Sequence, residues 1–312
     1  MSASAVRAAA SPPLGSVTSG ELEDGFERAG LRPGDVALVH SAMRTLGHVP
    51  GGAPSVVEAL LAVLGPDGTL VAPTFTFAHE AEDDPVIDPA LDPSEMGAVS
   101  EAVRRDPRAL RSTAYRHSFA AIGPRAAEIT RVDPSLAVFD LRSAFGAMLR
   151  LGAQVVLVGV PYASSTSHHF AEWVCEVPYR HTVPRDVRIR QPDGSLVPAT
   201  LTDYQPRPSE DGSYYGTRGT DFNRLGSMLE ERGLAGVTTV GNAVVRRFRM
   251  PDLIELARDE ASRDHNVFRT PEGQTEYITP LRDGHLVLGP EVLDGAGRPD
   301  RHLWSVEKRA RV

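Results

Sequence analysis

The sequence predicts an α/β domain with a central mixed sheet flanked by helices and an antiparallel hairpin portion in the C-terminal half. In the first half, short apolar runs typical of buried strands alternate with segments that repeat apolar residues at helical spacing. Strands without polar interruption are typical of a sheet that is covered on both faces. After residue 180, polar and apolar residues alternate around a Pro-Asp-Gly turn, which favours an antiparallel hairpin.

The first half supplies the helices and apolar strands in alternation. The first helix has Thr18 or Ser19 as its cap, acidic residues in its first turns and Gly30 at its end. A long loop rich in proline and aspartate, 78–95, has a length that is often found in functional lids. The predicted helices are 18–30, 53–65 and 96–107, and the predicted strands are 36–40, 69–77, the end of 111–123, and 154–160.

The second half is predicted to be mostly antiparallel. A hairpin over 185–204 turns at Pro192-Asp193-Gly194, and a second strand pair covers 237–250. Helices are predicted over 221–233, which ends at Gly233, and over 250–264. We expect one compact domain over 18–270, a disordered leader over 1–17, and a C-terminal extension over 271–312 packed on the same domain.

Composition excludes several classes of protein. The 312 residues are 41% hydrophobic and 24% charged, which permits a sizeable core. No apolar run approaches the ~20 residues that a membrane span needs. The single cysteine, Cys175, excludes an internal disulfide and a cysteine-based zinc site. We therefore expect a cytoplasmic protein without a membrane partner.

The formal net charge of −8 argues against nucleic acid as a partner. An acidic cleft would concentrate a cationic small-molecule substrate. The same charge is equally ordinary for a soluble protein, so both interpretations stay open.

The stretch STSHHFAEW, residues 165–173, contains the residues most able to perform chemistry. If a helix begins near Ser165–Ser167, His169 and Glu172 are three positions apart and share one face. Glu172 can then accept a hydrogen bond from one imidazole nitrogen and orient His169 as a general base. His168 is turned about 100° away and is not expected to act on the same ligand.

Two other interpretations of this stretch remain open. A metal-dependent hydrolase built on His168, His169 and Glu172 would need further ligands, and the spacing matches neither of the common zinc-protease motifs. Alternatively, both histidines are structural. No metal is expected.

Two further stretches are candidates for binding. HSAMRTLGHVPGG, residues 40–52, ends in a Gly-Gly turn that can bring backbone N–H groups close to a ligand. RSTAYRHSF, residues 111–119, contains Arg111 and Arg116, which can meet phosphates. Taken alone, each stretch favours an ordinary connection between elements over a binding site.

In order and spacing, these stretches resemble the aminoglycoside 3-N-acetyltransferase family, the antibiotic N-acetyltransferases that differ from the GNAT fold. The resemblance covers roughly residues 18–265. It rests on LRPGDVALVHSAMRTLGHVPGG, VVEALLAVLGPDGTLVAPTFTF, DPSEMGAVSEAVRRDPRALRS, HSFAAIG, VVLVGVPYASSTSHHFAEWVCEVPYR, DFNRLGSMLEERG and VGNA.

The resemblance implies acetyl transfer from acetyl-CoA to an amine, typically the 3-amino group of a 2-deoxystreptamine aminoglycoside. The family's T-x-x-H-x-x-E motif falls on Thr166, His169 and Glu172, so that His169 is the expected base. A homodimer is also implied. The expected cofactor-binding residues are His40, Ser41, Arg44, Gly51, Gly52, Thr74 and Ser112. The expected acceptor-side residues are Thr166, Asp221 and Phe222. Independently of the resemblance, Glu80 and Asp83 in the acidic loop 78–95 are expected to meet acceptor ammonium groups, and a solvated loop is the equal alternative.

The sequence departs from the family pattern beside the expected cleft. Where members usually have a His-Pro pair, this chain has Ala114-Tyr115, and it has Arg142-Ser143-Ala144 in place of a frequent Gly-Ser-Pro. The departures motivate a second hypothesis, an acetyltransferase of another amine in a biosynthetic pathway. A protein that sequesters an aminoglycoside or CoA without turnover is the non-enzyme alternative.

Overall fold

The computed structural model describes residues 15–206, 214–215, 220–264, 266–269, 278–279, 281–282 and 285–286. Val17 is buried and its N–H donates to the carbonyl of His48 at 2.8 Å. Residues 15–17, which the sequence places in the leader, therefore belong to the folded domain. Residues 1–14 and most of 271–312 lie outside the described residues, and the packing of the C-terminal extension stays a prediction.

The described strands, in chain order, are β1 (Val36–Ser41), β2 (Thr69–Pro73), β3 (Val86–Ile87), β4 (Leu110–Arg111), β5 (Phe119–Ile122), β6 (Gln154–Val158), β7 (Arg180–Arg190), β8 (Leu196–Pro206), β9 (Tyr214–Tyr215), β10 (Ala235–Val240), β11 (Ala243–Arg249), β12 (Ile278–Thr279), β13 (Leu281–Arg282) and β14 (His285–Leu286).

The described α-helices are α1 (Ser19–Ala29), α2 (Met43–Leu46), α3 (Ala53–Leu64), α4 (Ala98–Arg105), α5 (Ala126–Thr130), α6 (Ala144–Arg150), α7 (Ser167–Val174), α8 (Phe222–Glu231) and α9 (Met250–Arg263). The first begins at a capping box formed by Thr18 and Glu21, as its sequence predicts. It ends at Gly30, whose φ of 107° lies in the left-handed region that glycine adopts without strain.

The central sheet has seven strands in the order β10-β11-β6-β1-β2-β5-β4. Strands β6, β1 and β2 are parallel, and the strands outside them are antiparallel to their neighbours. The expected mixed sheet is thus confirmed. His40 of β1 pairs with Leu157 of β6, and the two strands are parallel. Both strands therefore end at the same edge of the sheet. Parallel strands present their carboxyl ends together, and this edge is where α7 follows β6.

Two apolar cores cover the two faces of the sheet. Successive residues of β1 alternate between them, with Leu38 in one core and Val39 in the other. Helices α1, α3 and α4 bury their apolar faces in the core that contains Val39, and α5 to α9 bury theirs in the core that contains Leu38. Because both faces are covered, the strands carry uninterrupted apolar runs.

The predicted hairpin is present and longer than expected. Strands β7 and β8 pair antiparallel over eleven residues each, with Arg180 opposite Pro206, and β3 adds a third strand. Strand β2, in contrast, ends at Pro73 rather than residue 77. The N–H of Thr74 still donates to the carbonyl of Ser118 at 2.8 Å, but the N–H groups of Phe77 and Ala78 donate to the carboxylate of Glu95 instead of a neighbouring strand.

Candidate active site

Helix α7 carries the expected pair of catalytic residues. It begins after Thr166, a few residues beyond β6, and the spacing of three positions brings His169 and Glu172 together. The Nδ1 atom of His169 lies 2.6 Å from Oε2 of Glu172. The Glu172 side chain is fully buried, whereas 28% of the His169 side chain is exposed. The carboxylate therefore orients a ring whose second nitrogen, Nε2, is left free of this bond.

Two residues of the following segment also contact the carboxylate of Glu172. The Tyr179 hydroxyl donates to Oε1 at 3.0 Å, and Nε of Arg180 forms an ion pair with Oε2 at 2.8 Å. Burial acts to raise the pKa of Glu172, but the positive charge of Arg180 and the hydrogen bonds from His169 and Tyr179 outweigh it and lower that pKa. The site thus contains an ionised carboxylate beneath the imidazole.

His169 itself is held in its neutral form. Burial is the main cause that lowers its pKa, and the charge of Arg180 lowers it further against the opposing effect of Glu172. A neutral imidazole is the form that accepts a proton. The electrostatics of the site therefore suit a general base at neutral pH.

The neighbouring histidine has a different environment, as the helix geometry predicts. His168 is fully buried, its Nδ1 lies 3.3 Å from the carbonyl oxygen of Ser165, and burial lowers its pKa to about 3. In the part of the chain that the structure describes, no three His, Cys, Asp or Glu side chains are placed to hold a metal ion. The described residues therefore lend no geometric support to the metal-hydrolase hypothesis.

Of the expected acceptor-side residues, Phe222 is in contact with both histidine rings. Its buried ring stacks on His168 with centroids 5.0 Å apart and meets His169 edge-on at 4.8 Å. Asp221 precedes it and caps α8, since its carboxylate accepts from the N–H of Arg224 at 3.2 Å. Thr166 occupies the position before α7 and makes no side-chain capping bond.

Most of the expected cofactor-binding residues lie at the edge where β1 ends. His40 is buried, which lowers its pKa to about 4, and Ser41 after it is half-buried. Arg44 is exposed on α2. Gly51 and Gly52 have φ angles of 79° and 69°, which explains why glycine stands at both positions before α3. Gly51 is exposed, whereas the N–H of Gly52 donates to the carbonyl of Val49 at 2.9 Å.

Thr74 and Ser112, also expected to bind the cofactor, are engaged inside the fold. Both are buried. The Thr74 hydroxyl lies 3.0 Å from that of Ser118, and Ser112 accepts from the N–H of Phe119 at 2.9 Å. Arg111 bonds to the Thr74 carbonyl at 2.7 Å and to the Asp92 carbonyl at 2.5 Å. Its guanidinium therefore stabilises the loop after β2 rather than facing a phosphate.

Of the two expected acceptor-side carboxylates in the acidic loop, one is paired and one is exposed. Glu80 forms an ion pair with Arg116 at 2.7 Å, and Arg116 also pairs at 2.9 Å with Asp203, which is fully buried on β8. Asp83 is exposed. A carboxylate already paired with arginine is a weaker site for an ammonium group, so Asp83 is the freer of the two expected acceptor contacts.

A cleft of about 700 Å³ lies between this loop and the hairpin turn, with Leu91, Ile189 and Pro192 among its lining residues. It is remote from the catalytic pair. Strand β7 starts at Arg180 beside Glu172, and at about 3.3 Å per residue its other end is roughly 30 Å away. The cleft is therefore separate from the His169 site.

Sequence reasoning missed Tyr179, Arg180 and Asp203. The Tyr-Arg pair is present in the stretch VCEVPYR, seven and eight positions after Glu172, but nothing local distinguishes it from strand residues. Asp203 is on a strand that pairs with β7 and is about thirty positions from Glu172. Only the folded chain brings these groups together.

The chain is similar to known acetyltransferases. The family model described as Aminoglycoside 3-N-acetyltransferase matches residues 38–261. Aminoglycoside N(3)-acetyltransferase IV from Salmonella sp is 35% identical over 247 residues, 78% of this chain and 87% of that protein. Aminoglycoside N(3)-acetyltransferase VII from Streptomyces paromomycinus is 32% identical over 265 residues, 78% of this chain and 90% of that protein.

The fold is also that of a solved relative. The crystal structure of the apoenzyme of aminoglycoside acetyltransferase AAC(3)-IVa superimposes with a TM-score of 0.68 at 31% identity, covering 83% of this chain and 94% of that chain. The family model covers more than half of the chain, and the relatives are matched over most of their length. The resemblance seen in the sequence is thus confirmed, and the chain belongs to the aminoglycoside 3-N-acetyltransferase family.

Proposed function

We propose that this protein transfers acetyl from acetyl-CoA to the 3-amino group of a 2-deoxystreptamine aminoglycoside, with His169 as general base and Glu172 orienting it. The observation that carries the proposal is the 2.6 Å contact between Nδ1 of His169 and a fully buried carboxylate. It leaves Nε2 as the nitrogen that takes up a proton.

The relatives support the choice of substrates. A variant of AAC(3)-IVa, 33% identical to this chain, has been solved in complex with a gentamicin, and a complex with apramycin has been solved at 31% identity. A more distant protein of the same fold, AAC-IIIb, has been solved with CoASH. We extend both ligand classes to this chain.

The proposed reaction is a direct transfer in a ternary complex. The acceptor amine is protonated at neutral pH and must lose a proton before its lone pair attacks the thioester carbonyl. Nε2 of His169 takes that proton, and the neutral amine attacks to form the C–N bond. As the C–S bond breaks, the nitrogen loses its second proton and the leaving sulfur gains one, so that the products are the amide, the CoA thiol and one proton released to solvent. Donors near the carbonyl oxygen stabilise its developing negative charge.

The co-substrate is proposed to lie along the β1 edge. Ser41 and the backbone of Gly51 are the accessible groups among the expected contacts, whereas the N–H of Gly52 already donates to the carbonyl of Val49. Arg44 is exposed for a phosphate. Thr74 and Ser112 support this edge from inside the fold, because their hydroxyls are already bonded to neighbouring residues. Ser41 is therefore the candidate donor to the thioester oxygen.

Replacement of His169 tests the base assignment. We expect His169→Ala to lower kcat by about 10²–10⁴-fold, since general base catalysis contributes that much. The assay is colorimetric thiol release from acetyl-CoA across a panel of aminoglycosides and simple amines. The matched control is His168→Phe, which keeps an aromatic ring against Phe222 and should retain activity.

The panel also tests the acceptor. The proposal is supported if a 2-deoxystreptamine compound drives thiol release from acetyl-CoA in the wild type and this release is lost in His169→Ala. Release driven only by other amines would favour the biosynthetic alternative, and acetyl-CoA binding without release by any acceptor would contradict the proposed substrate.

A further inference from the structure

The carboxylate of Glu172 is held by three side chains, of which the sequence motif includes one. His169 contacts Oε2 at 2.6 Å, Arg180 contacts the same oxygen at 2.8 Å, and Tyr179 donates to Oε1 at 3.0 Å. Glu172 is fully buried and 5% of the Arg180 side chain is exposed. Among these residues, His169 is the one whose side chain is appreciably exposed.

We propose that Arg180 and Tyr179 are positioning residues that act through Glu172, Arg180 by cancelling the charge of the carboxylate and Tyr179 by fixing its orientation. This inference rests on the proposed function, since it concerns the same base. Neither residue belongs to the T-x-x-H-x-x-E motif.

The charge of Arg180 contributes to the protonation state of the base, next to burial. A lone carboxylate beside an imidazole favours the protonated ring and raises its pKa, which would remove the free base at neutral pH. Arg180 opposes this effect, because the pair it forms with Glu172 has no net charge. The lowered pKa of His169, caused first by burial and next by Arg180, agrees with this balance.

Tyr179 governs orientation rather than charge. Its hydroxyl occupies the Glu172 oxygen that His169 does not use, so both oxygens have a partner and the carboxylate plane is defined. The Tyr179 ring is itself held, since the guanidinium of Arg269 lies 4.9 Å from its centroid. The carboxylate oxygen that is hydrogen-bonded to Nδ1 of His169 is thereby kept in one position.

Arg180 is fixed by the start of the hairpin. It is the first residue of β7, and its guanidinium carbon lies 5.6 Å from the ring centroid of Tyr204 on β8. The charged and titratable groups that act on His169 or surround it are Glu172 and His168 on α7, Arg116 and His117 before β5, Tyr179, and Arg180 on β7.

The test compares Arg180→Gln with the wild type by two measurements. The first is the pKa of His169, followed by NMR with labelled histidine and needing no substrate. The second is the pH profile of kcat/KM for thiol release. We expect Arg180→Gln to raise the His169 pKa by about one pH unit or more and to move the acid limb of the profile in the same direction. Arg180→Lys keeps the charge and should leave the limb near its wild-type position.

Tyr179→Phe separates orientation from charge. We expect kcat to fall by roughly tenfold with little change in the KM for acetyl-CoA, as is found when the outer partner of an oriented ligand is removed. Arg190→Gln is the matched control on the same strand. Arg190 pairs with Asp88 at 2.9 Å near the far end of β7, so this variant should behave as the wild type in both measurements.

The outcomes are distinguishable. An unchanged His169 pKa and acid limb in Arg180→Gln would overturn the role of Arg180, and wild-type kcat in Tyr179→Phe would overturn that of Tyr179. If Arg180→Gln does not fold, Arg180→Met removes the same charge, and an unchanged His169 pKa and acid limb in that variant overturn the role of Arg180. If the His169 pKa rises in Arg180→Gln while the wild type releases no thiol, the effect of Arg180 on His169 is supported and the proposed function fails.

Discussion

At the scale of single residues, two adjacent histidines on one helix have different environments. His169 contacts Glu172 and is partly exposed, whereas His168 is fully buried and bonds to a backbone carbonyl. Phe222 touches both rings. The difference follows from the ~100° turn between successive helical positions, and it makes His169 the candidate base and His168 a structural residue.

Glu172→Gln tests the orienting role. The amide keeps the shape of the side chain but can present an N–H to Nδ1 of His169, which would favour the wrong tautomer. We expect kcat to fall by about 10²-fold or more, while acetyl-CoA binding is retained. Kinetics of thiol release and calorimetric binding of CoA measure the two effects. Near wild-type turnover would show that Glu172 does not orient the base.

Cys175→Ala tests direct transfer. Cys175 follows α7, and burial raises its pKa to about 11, so its thiolate is scarce at neutral pH. We expect the variant to keep its activity. Mass spectrometry of the wild type after mixing with acetyl-CoA should detect no acetylated Cys175. An acetylated thiol that the acceptor discharges would instead indicate an acyl-enzyme.

At the scale of elements, α7 is placed by contacts from both sides. It follows β6 at the carboxyl edge of the parallel strands, and the start of β7 contacts it through Arg180. On the other side α8 supplies Phe222, and the turn at Tyr162 before α7 packs on α8 at Gly226. The orientation of the base therefore depends on the close approach of α8.

Gly226→Ala tests this approach. Alanine normally favours a helix over glycine by about 1 kcal/mol. A Cβ at this position, however, would lie 2.1 Å from ring atoms of the buried Tyr162. We expect overpacking to lower the free energy of unfolding by about 1–3 kcal/mol, measured by urea denaturation.

The control is Gly20→Ala in α1, where a Cβ would meet nothing within 4 Å. That variant should gain up to about 1 kcal/mol from helix propensity alone. Equal stabilisation by both substitutions would mean that α8 does not approach the turn closely.

At the scale of the whole molecule, the fold buries several histidines in neutral form. Burial lowers the pKa of His40 to about 4 and those of His117 and His168 to about 3. In the unfolded chain these rings take up protons near pH ~6.5. Below that pH the unfolded state binds more protons than the folded state, so folding stability falls as the pH falls.

We expect the free energy of unfolding to fall from about pH 6.5 down to about pH 4, by about 1.4 kcal/mol per pH unit for each neutral histidine. Urea midpoints measured across this range check the slope. His117→Asn and His168→Asn should each lose less stability than the wild type as the pH falls, when every protein is compared with its own free energy of unfolding at pH 8. A stability that is flat between pH 4 and 6.5 would contradict the burial of neutral rings.

The described part of the chain has no helix that is both long and apolar enough to cross a membrane. This agrees with the absence of a long apolar run in the sequence.

The sequence by itself determined the order of elements and the candidate catalytic pair, because both depend on local spacing. Apolar runs marked the parallel strands, the Pro-Asp-Gly turn marked the β7–β8 hairpin, and three positions on a helix joined His169 to Glu172. Tertiary structure alone decided what surrounds that pair. Arg180, Tyr179 and Phe222 reach it from a strand, a loop and a distant helix, and the register that brings them there is set by packing in the two cores. The same packing turned Thr74 and Ser112 inward, because the guanidinium of Arg111 and the N–H of Phe119 donate to their oxygens inside the fold.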